Sequence, residues 1–309
     1  MTGLDVTDDA VVKLSGRRGR TASQLKPRAG LLFVAPYVIF LLAFGVGPTV
    51  YSVYLAVTKT GGGFAGFANF IHTASDFRFL PALGHVAEYL GIWLSALLVL
   101  VVGLALLIHR LAYRRVRTVV RFLYYIPGAL VGAASVVLWL FVLDPTVSPL
   151  AAVLRMLGNH SFGQTIQPSH LPLIFAVIAF WTGAGGWILV LYGALNTVPE
   201  EVIEAAKIDG VGPVQTALRI ELPMIRKWIV YMLILSLAAG TQLFVEPQLV
   251  SQASFGVVSS TYSLNQLAYQ YAFTQNDFNG SAAIAVDLLV FSLICAALFV
   301  WRGRLFEVE

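Results

Sequence analysis

The sequence predicts an all-α membrane protein of six transmembrane helices. Three observations carry that expectation: 58% of the residues are hydrophobic, only 12% are charged, and the apolar residues fall in six long blocks almost free of Asp, Glu, Lys and Arg. A soluble domain of ordinary composition carries about a quarter charged residues. A helix needs roughly 20 apolar residues to cross the hydrocarbon core, because it rises about 1.5 Å per residue and lipid offers no partner to an unpaired backbone amide.

The blocks place the spans at about 31–57, 88–109, 120–143, 171–195, 228–250 and 280–302, within one transmembrane domain covering 29–309. Ahead of it, residues 1–28 are polar, basic and rich in Gly, Ser and Thr, which predicts a mostly disordered tail. Arg17 and Arg18 resemble the start of an export signal, but the run that follows is too long for a signal segment and reads as a retained span. Pro36, Pro48, Pro127 and Pro172 mark kinks or helix starts. In the fourth span Gly183, Gly185 and Gly186 allow a neighbouring helix to approach closely, and Trp181 with Thr182 on the same stretch are candidates for a face along a solute path. Cys295 is the single cysteine, so no disulfide framework forms within the chain.

Orientation follows from the basic residues. With both termini in the cytoplasm, all of the 20 Lys and Arg except Lys59, Arg78 and Arg155 lie on the inner side, which is the positive-inside pattern. The net charge of +4 is then a topology signal. Without an aromatic-rich basic face it predicts no nucleic-acid partner; the expected surroundings are membrane lipid. This orientation puts residues 196–227 in the cytoplasm.

That hydrophilic segment has its own punctuation. Thr197 with Glu200 three positions later fits a capping box, and Pro199 suits a first turn. Gly210 follows a helical stretch and suits a left-handed helix end, after which Gly212 and Pro213 permit a second start. Val214, Ala217 and Leu218 recur as one apolar face, and Pro223 breaks the chain before the fifth span. The expectation is a helix, a turn and a short helix under the membrane. Periodicity alone fits an ordinary amphipathic connector equally.

Two charges fall in the apolar blocks. Glu246 and Asp287 would each cost about 2.5–3.5 kcal/mol at the bilayer centre, so each is expected to face a cavity or a partner. Glu246 with Gln242 and Gln248 forms a polar row in a span interrupted at Pro247, the kind of broken helix that lines transporter sites; hydration of Glu246 near the headgroups is the alternative. For Asp287 an interhelical hydrogen bond serves as well as a pathway role. Enzyme motifs are missing: there is no GxxxxGK[ST], HExxH or GxSxG, and His72, His85, His109, His160 and His170 are scattered without metal spacing, so no metal site and no catalytic residue is expected.

The spelling of the hydrophilic segment is more specific than its period. Glu204, Ala205 and Ala206, then Asp209 and Gly210, and ten residues on Ile220, Leu222 and Pro223, resemble the EAA loop of ABC importer permeases. FLYYIPGALVGAASVVLWLFVLDP, FWTGAGGWILVLYGALNTVPEEVIEAAKIDG, LAYQYAF and GSAAIAV are similar to the carbohydrate branch of those permeases, the class that imports sugars and glycerol phosphates. The sequence departs from the family at Ala217, where a bulky aromatic is frequent, at Lys227, where proline is frequent, and at SQASFG after the fifth span.

The resemblance implies a type I ABC importer permease fold in a bacterial cytoplasmic membrane. It also implies one half of a pore that passes a sugar or sugar-like solute by alternating access. The implied partners are a second homologous permease, a dimer of ABC ATPases and an extracytoplasmic solute-binding protein; ATP and Mg would be bound by the ATPases, and this chain would carry no cofactor. Glu204, Ala205, Ala206, Asp209, Gly210, Val214, Leu218, Leu222 and Pro223 would form the coupling surface, with Glu204 supplying a charge or cap contact and Gly210 the sharp reversal. The family's polar solute contacts also cluster on the span that holds Gln242, Glu246 and Gln248. Two alternatives stand beside it: a secondary transporter or channel driven by an ion gradient through Asp287 or Glu246, and a membrane scaffold that anchors a soluble partner.

Overall fold

The computed structural model describes residues 27–130 and 132–302, with side chains from residue 32 onward. Of the tail expected at 1–28, only residues 27 and 28 fall in that range, and they already belong to a helix. The chain divides into two compact units, residues 1–51 and 52–309. Among the described residues there is no β-strand, only an isolated bridge between Thr58 and Phe64.

In the first unit the described residues are helical throughout. Helix α1 (Leu32–Ala56), whose last five residues belong to the second unit, widens to a π turn at Leu42–Val46, where the Gly47 N–H donates to the Leu42 carbonyl. Pro48 follows directly. Proline lacks a donor and its ring crowds the carbonyl four residues back, and a widened turn relieves that crowding.

The second unit holds short α2 (Ala68–Ala74) and then the long α3 (Phe79–His109), which begins well before residue 88, where the second span was expected. Expected span 120–143 is not one rod: α4 (Arg114–Ala129) and α5 (Ala133–Leu143) meet at 100°. Pro127 lies in the 3₁₀ turn Ile126–Ala129 that ends α4, and Gly132 at φ +69° begins α5. Two short helices, α6 (Ala151–Met156) and α7 (Phe162–Thr165), lead to α8 (Leu171–Leu195), whose first turn contains Pro172. Next come α9 (Glu200–Ile208) and α10 (Pro213–Met224), and α11 (Arg226–Gly240) leaves α10 at 69°. The expected span 228–250 breaks at residues 241–244, before Pro247, which sits inside α12 (Val245–Ala253). Finally α13 (Leu264–Tyr269) precedes α14 (Phe278–Arg302). Among the described residues, four helices are by length and composition able to cross a membrane, or up to six when each bent pair counts as one span.

The core is built on α3 and α8, the most extensively packed pair, with α11 against both. Trp93 and Leu97 of α3, Phe175, Ile188 and Leu191 of α8 and Met232 of α11 are buried there. Lipid is as apolar as these side chains, so packing contacts rather than escape from water select the arrangement. The glycines mark where it is tightest. A Cβ on Gly185 would collide with the Tyr124 carbonyl oxygen of α4, and one on Gly240 would lie 2.5 Å from Leu90 Cδ2; one on Gly186 would meet nothing within 4 Å.

Polar groups tie the ends. Asn69 Nδ2 donates to the Ala56 and Thr58 carbonyls at 2.8 Å each, and Asn279 Nδ2 donates to the Leu55 and Thr58 carbonyls at 2.9 Å each. These are the carbonyls a helix C-terminus leaves unpaired. Nearby, Asp76 accepts from Arg78 Nη2 at 2.6 Å and from Tyr271 Oη at 2.8 Å. The Arg78 guanidinium holds the Asp76 carboxyl well below the usual carboxylate range, and burial pushes the Tyr271 phenol up to about 12. A carboxyl whose folded value is depressed stabilises the fold at every pH above its ordinary range, and this clip loosens only under strong acid.

Gly185→Ala is expected to destabilise the protein by about 1–3 kcal/mol, because the added methyl meets backbone that must shift, while Gly186→Ala leaves stability near wild type. Thermal unfolding of both variants in one detergent checks the pair. Equal midpoints would contradict the packing described.

Candidate functional site

Residues 196–227 form a helical hairpin beside the C-terminal ends of α3 and α8. The capping box does not form: Thr197 Oγ1 donates back to the Ala194 carbonyl at 2.7 Å, and α9 starts after Pro199 with no side-chain cap. The helix end does form as expected. Gly210 has φ +75°, its N–H donates to the Lys207 carbonyl at 3.1 Å, and the Val211 N–H donates to the Ala206 carbonyl at 2.9 Å, the pair of bonds that defines a Schellman motif.

The predicted apolar face of α10 splits. Val214 is 68% and Leu218 61% exposed, whereas Ala217 is buried. Thr216, Ala217 and Glu221 turn inward together, and the π turn at Ala217–Glu221 brings Glu221 into line with Thr216, five residues back. On α9, Glu204, Ala205, Asp209 and Gly210 are exposed and Ala206 is buried. Leu222 is half-buried against the core, and Pro223 is exposed. The hairpin therefore presents Ile208, Val214 and Leu218, three large apolar side chains, outward beside acidic Glu204 and Asp209.

Sequence reasoning passed over Glu221. It is 3% exposed, accepts from Arg110 Nη2 at 2.6 Å, and has Oε1 4.0 Å from His109 Nδ1. A cleft of about 400 Å³ opens there between α3, α9 and α10, lined by His109, Arg110, Glu200, Lys207 and Glu221 among others. The available signal was an acidic residue among apolar neighbours in RIELP and a His-Arg pair at the exit of the second span.

The other candidates do not converge on one cluster. Trp181 packs edge-on against Trp139 at 5.9 Å between ring centres, in an apolar cleft of about 590 Å³ that includes Tyr124, Pro127 and Phe180. Thr182 spends its hydroxyl on the Ile178 carbonyl of its own helix, at 3.0 Å. Gln242 is exposed in the break between α11 and α12, and Glu246 is half-buried in the first turn of α12. The Gln248 side-chain oxygen accepts from Gln266 Nε2 at 3.0 Å; Gln266 is fully buried and completes a capping box with Ser263 at the start of α13. Asp287 is half-buried in α14. Among the described residues no group of three or more His, Cys, Asp or Glu is placed to hold a metal ion.

Comparison with known proteins gives this geometry a context. A family model described as "Binding-protein-dependent transport system inner membrane component" matches residues 85–306. The multiple sugar-binding transport system permease protein MsmF of Streptococcus mutans is 27% identical over 291 residues, 90% of this chain and 96% of that one. The diacetylchitobiose uptake system permease protein NgcF of Streptomyces coelicolor is 29% identical over 292 residues, 88% of this chain and 80% of its own. Among solved structures, a bacterial ABC transporter involved in the import of the acidic polysaccharide alginate has a chain that superposes with a TM-score of 0.74 at 20% identity. That match covers 91% of this chain and 98% of the other, and it supports the fold. With the family model matched over well more than half its length, the chain belongs to the inner membrane components of binding-protein-dependent transport systems.

Proposed function

We propose that the chain is one pore-forming subunit of an ATP-driven importer for a sugar or sugar-like solute, with the 196–227 hairpin in the cytoplasm as its coupling element. The observation that carries this reading is the hairpin itself. A left-handed reversal at Gly210 leads into a helix that leaves Val214 and Leu218 exposed, outside the packed core. Large exposed apolar side chains rimmed by charge are the signature of a docking surface. The names borne by MsmF and NgcF support the solute class.

The mechanism follows from rigid attachment. Two ATPase subunits, binding ATP and Mg, grip the hairpin; their closure moves it, and the helices fixed to it tilt. A second homologous permease supplies the other wall of the pore, and a solute-binding protein on the far side delivers the cargo. The chain needs no cofactor of its own. Glu204 and Asp209 supply charge at the ATPase junction. Along the path, Gln242 and Glu246 sit where α11 stops and α12 begins, so that side chains at the break meet solute, as in other transporters with interrupted helices. Gln248 and Asp287 complete the polar lining, with Trp181 and Thr182 on α8.

Gly210→Val is expected to abolish ATP-driven uptake in vesicles while the subunit still inserts at normal levels, because a β-branched residue at positive φ is a conformational outlier. Wild-type uptake by that variant would remove the hairpin from the mechanism. Glu246→Ala is expected to lower the initial rate of oligosaccharide uptake about tenfold or more, the loss following from one polar contact in a buried site, with the complex still purifying intact. Uptake kinetics indistinguishable from wild type would take Glu246 off the path.

A further inference from the structure

Among the charged side chains of the hairpin, Glu221 is the buried one; the others are exposed or, for Arg226, half-buried. Its surroundings join four helices. The carboxylate of α10 takes its bond from Arg110, just past the end of α3, and lies 4.0 Å from His109 Nδ1. The His109 ring stands edge-on to Tyr192 of α8, 5.7 Å between centres. Tyr192 Oη accepts from Arg117 Nη1 of α4 at 3.1 Å, the Arg121 guanidinium lies 4.3 Å over the Tyr192 ring, and Arg117 Nη2 donates to the Leu111 carbonyl at 2.6 Å.

The chain itself attaches the hairpin only to α8 and α11. No covalent link runs to α3 or α4. We propose that Glu221 and Arg110 are the joint through which movement of the hairpin reaches α3, and through the His109 and Tyr192 contacts reaches α8 and α4. Glu221 is a positioning residue: it touches no solute and acts through Arg110. A buried carboxylate separated from its cation is left uncompensated in a medium of low dielectric, so the two move together where an apolar contact would slide. The proposal rests on the reading of the hairpin as the coupling element.

The complete complex in proteoliposomes, with its binding protein and a radiolabelled oligosaccharide, gives the test as oligosaccharide imported per ATP hydrolysed. Glu221→Gln keeps the shape and removes the charge; it is expected to lower that ratio about tenfold, within the range of coupling between distant sites, with the complex assembling at wild-type yield. Arg110→Gln is expected to do the same, the double variant to be no worse than either, and Arg110→Lys to keep most of the ratio. Non-additivity of this kind marks residues acting as a unit. An unchanged ratio in Glu221→Gln, or additive losses in the double variant, overturns the proposal. So does uptake that falls only in step with the yield of complex. Should Glu221→Gln fail to assemble, Arg110→Gln, which alters the more exposed partner, decides the question by the same ratio. A wild-type complex that imports without ATP would instead refute the reading of the hairpin and is seen in the control.

Discussion

An unpaired backbone amide or carbonyl in hydrocarbon costs several kcal/mol, and the layout of this protein follows from where it satisfies that demand outside regular helix. The break after α11 frees the carbonyl of Thr241, and Asn265 Nδ2 fills it at 2.9 Å; the Thr241 hydroxyl in turn accepts from Ser292 of α14 at 3.0 Å. At the end of α1 the carbonyls of Leu55, Ala56 and Thr58 are taken by Asn69 and Asn279. At both places a neighbouring element reaches the helix end with a side-chain amide or hydroxyl. The patched break after α11 is also where Gln242 and Glu246 stand, between the end of α11 and the first turn of α12.

The same solvent removes the usual reason for helices to associate. Association then depends on backbones approaching until dispersion contacts accumulate, and Gly185 and Gly240 are the points of closest approach. Gly185 holds α4 hard against α8, which fixes the position of Arg117 and Arg121 next to Tyr192. The tight contact in the apolar layer and the polar network below it are thus two parts of one joint between α4 and α8.

How much of this was legible in the sequence depends on how local the cause is. Long charge-free runs announce α1, α3, α8 and α14 because length and hydropathy alone decide whether a helix spans. Gly210 was legible because a left-handed helix end is a property of one residue and its immediate neighbours. The capping box at Thr197 misled, since Pro199 is extended, with ψ 133°, and moves the helix start beyond the reach of that hydroxyl. Ala217 was assigned to the wrong face because an apolar stripe of residues three and four apart is about 100° wide, and here the boundary between the buried and exposed sides falls between Ala217 and Leu218. The break lies at residues 241–244, just ahead of Pro247, which takes its place in the first turn of α12, where a missing N–H costs least. Glu221 is marked locally only as an acidic residue among apolar neighbours; its partner is 111 residues away, and no local pattern announces a pairing of that span.

A buried ion pair is weak evidence for stability, because desolvation of both charges offsets most of their attraction. If seating α10 against α3 were the whole requirement, an apolar side chain at position 221 would do as well, and Leu222 beside it already packs on the core. What leucine lacks is direction. An apolar contact tolerates a slide of an ångström at little cost, whereas a 2.6 Å charge-assisted bond weakens steeply with distance and angle. The pair therefore adds register rather than net stability: it admits one position of α10 on the end of α3 and penalises its neighbours. Register is what a hairpin must keep if force applied at Val214 and Leu218 is to arrive at α3 instead of dissipating in the hairpin's own flexing.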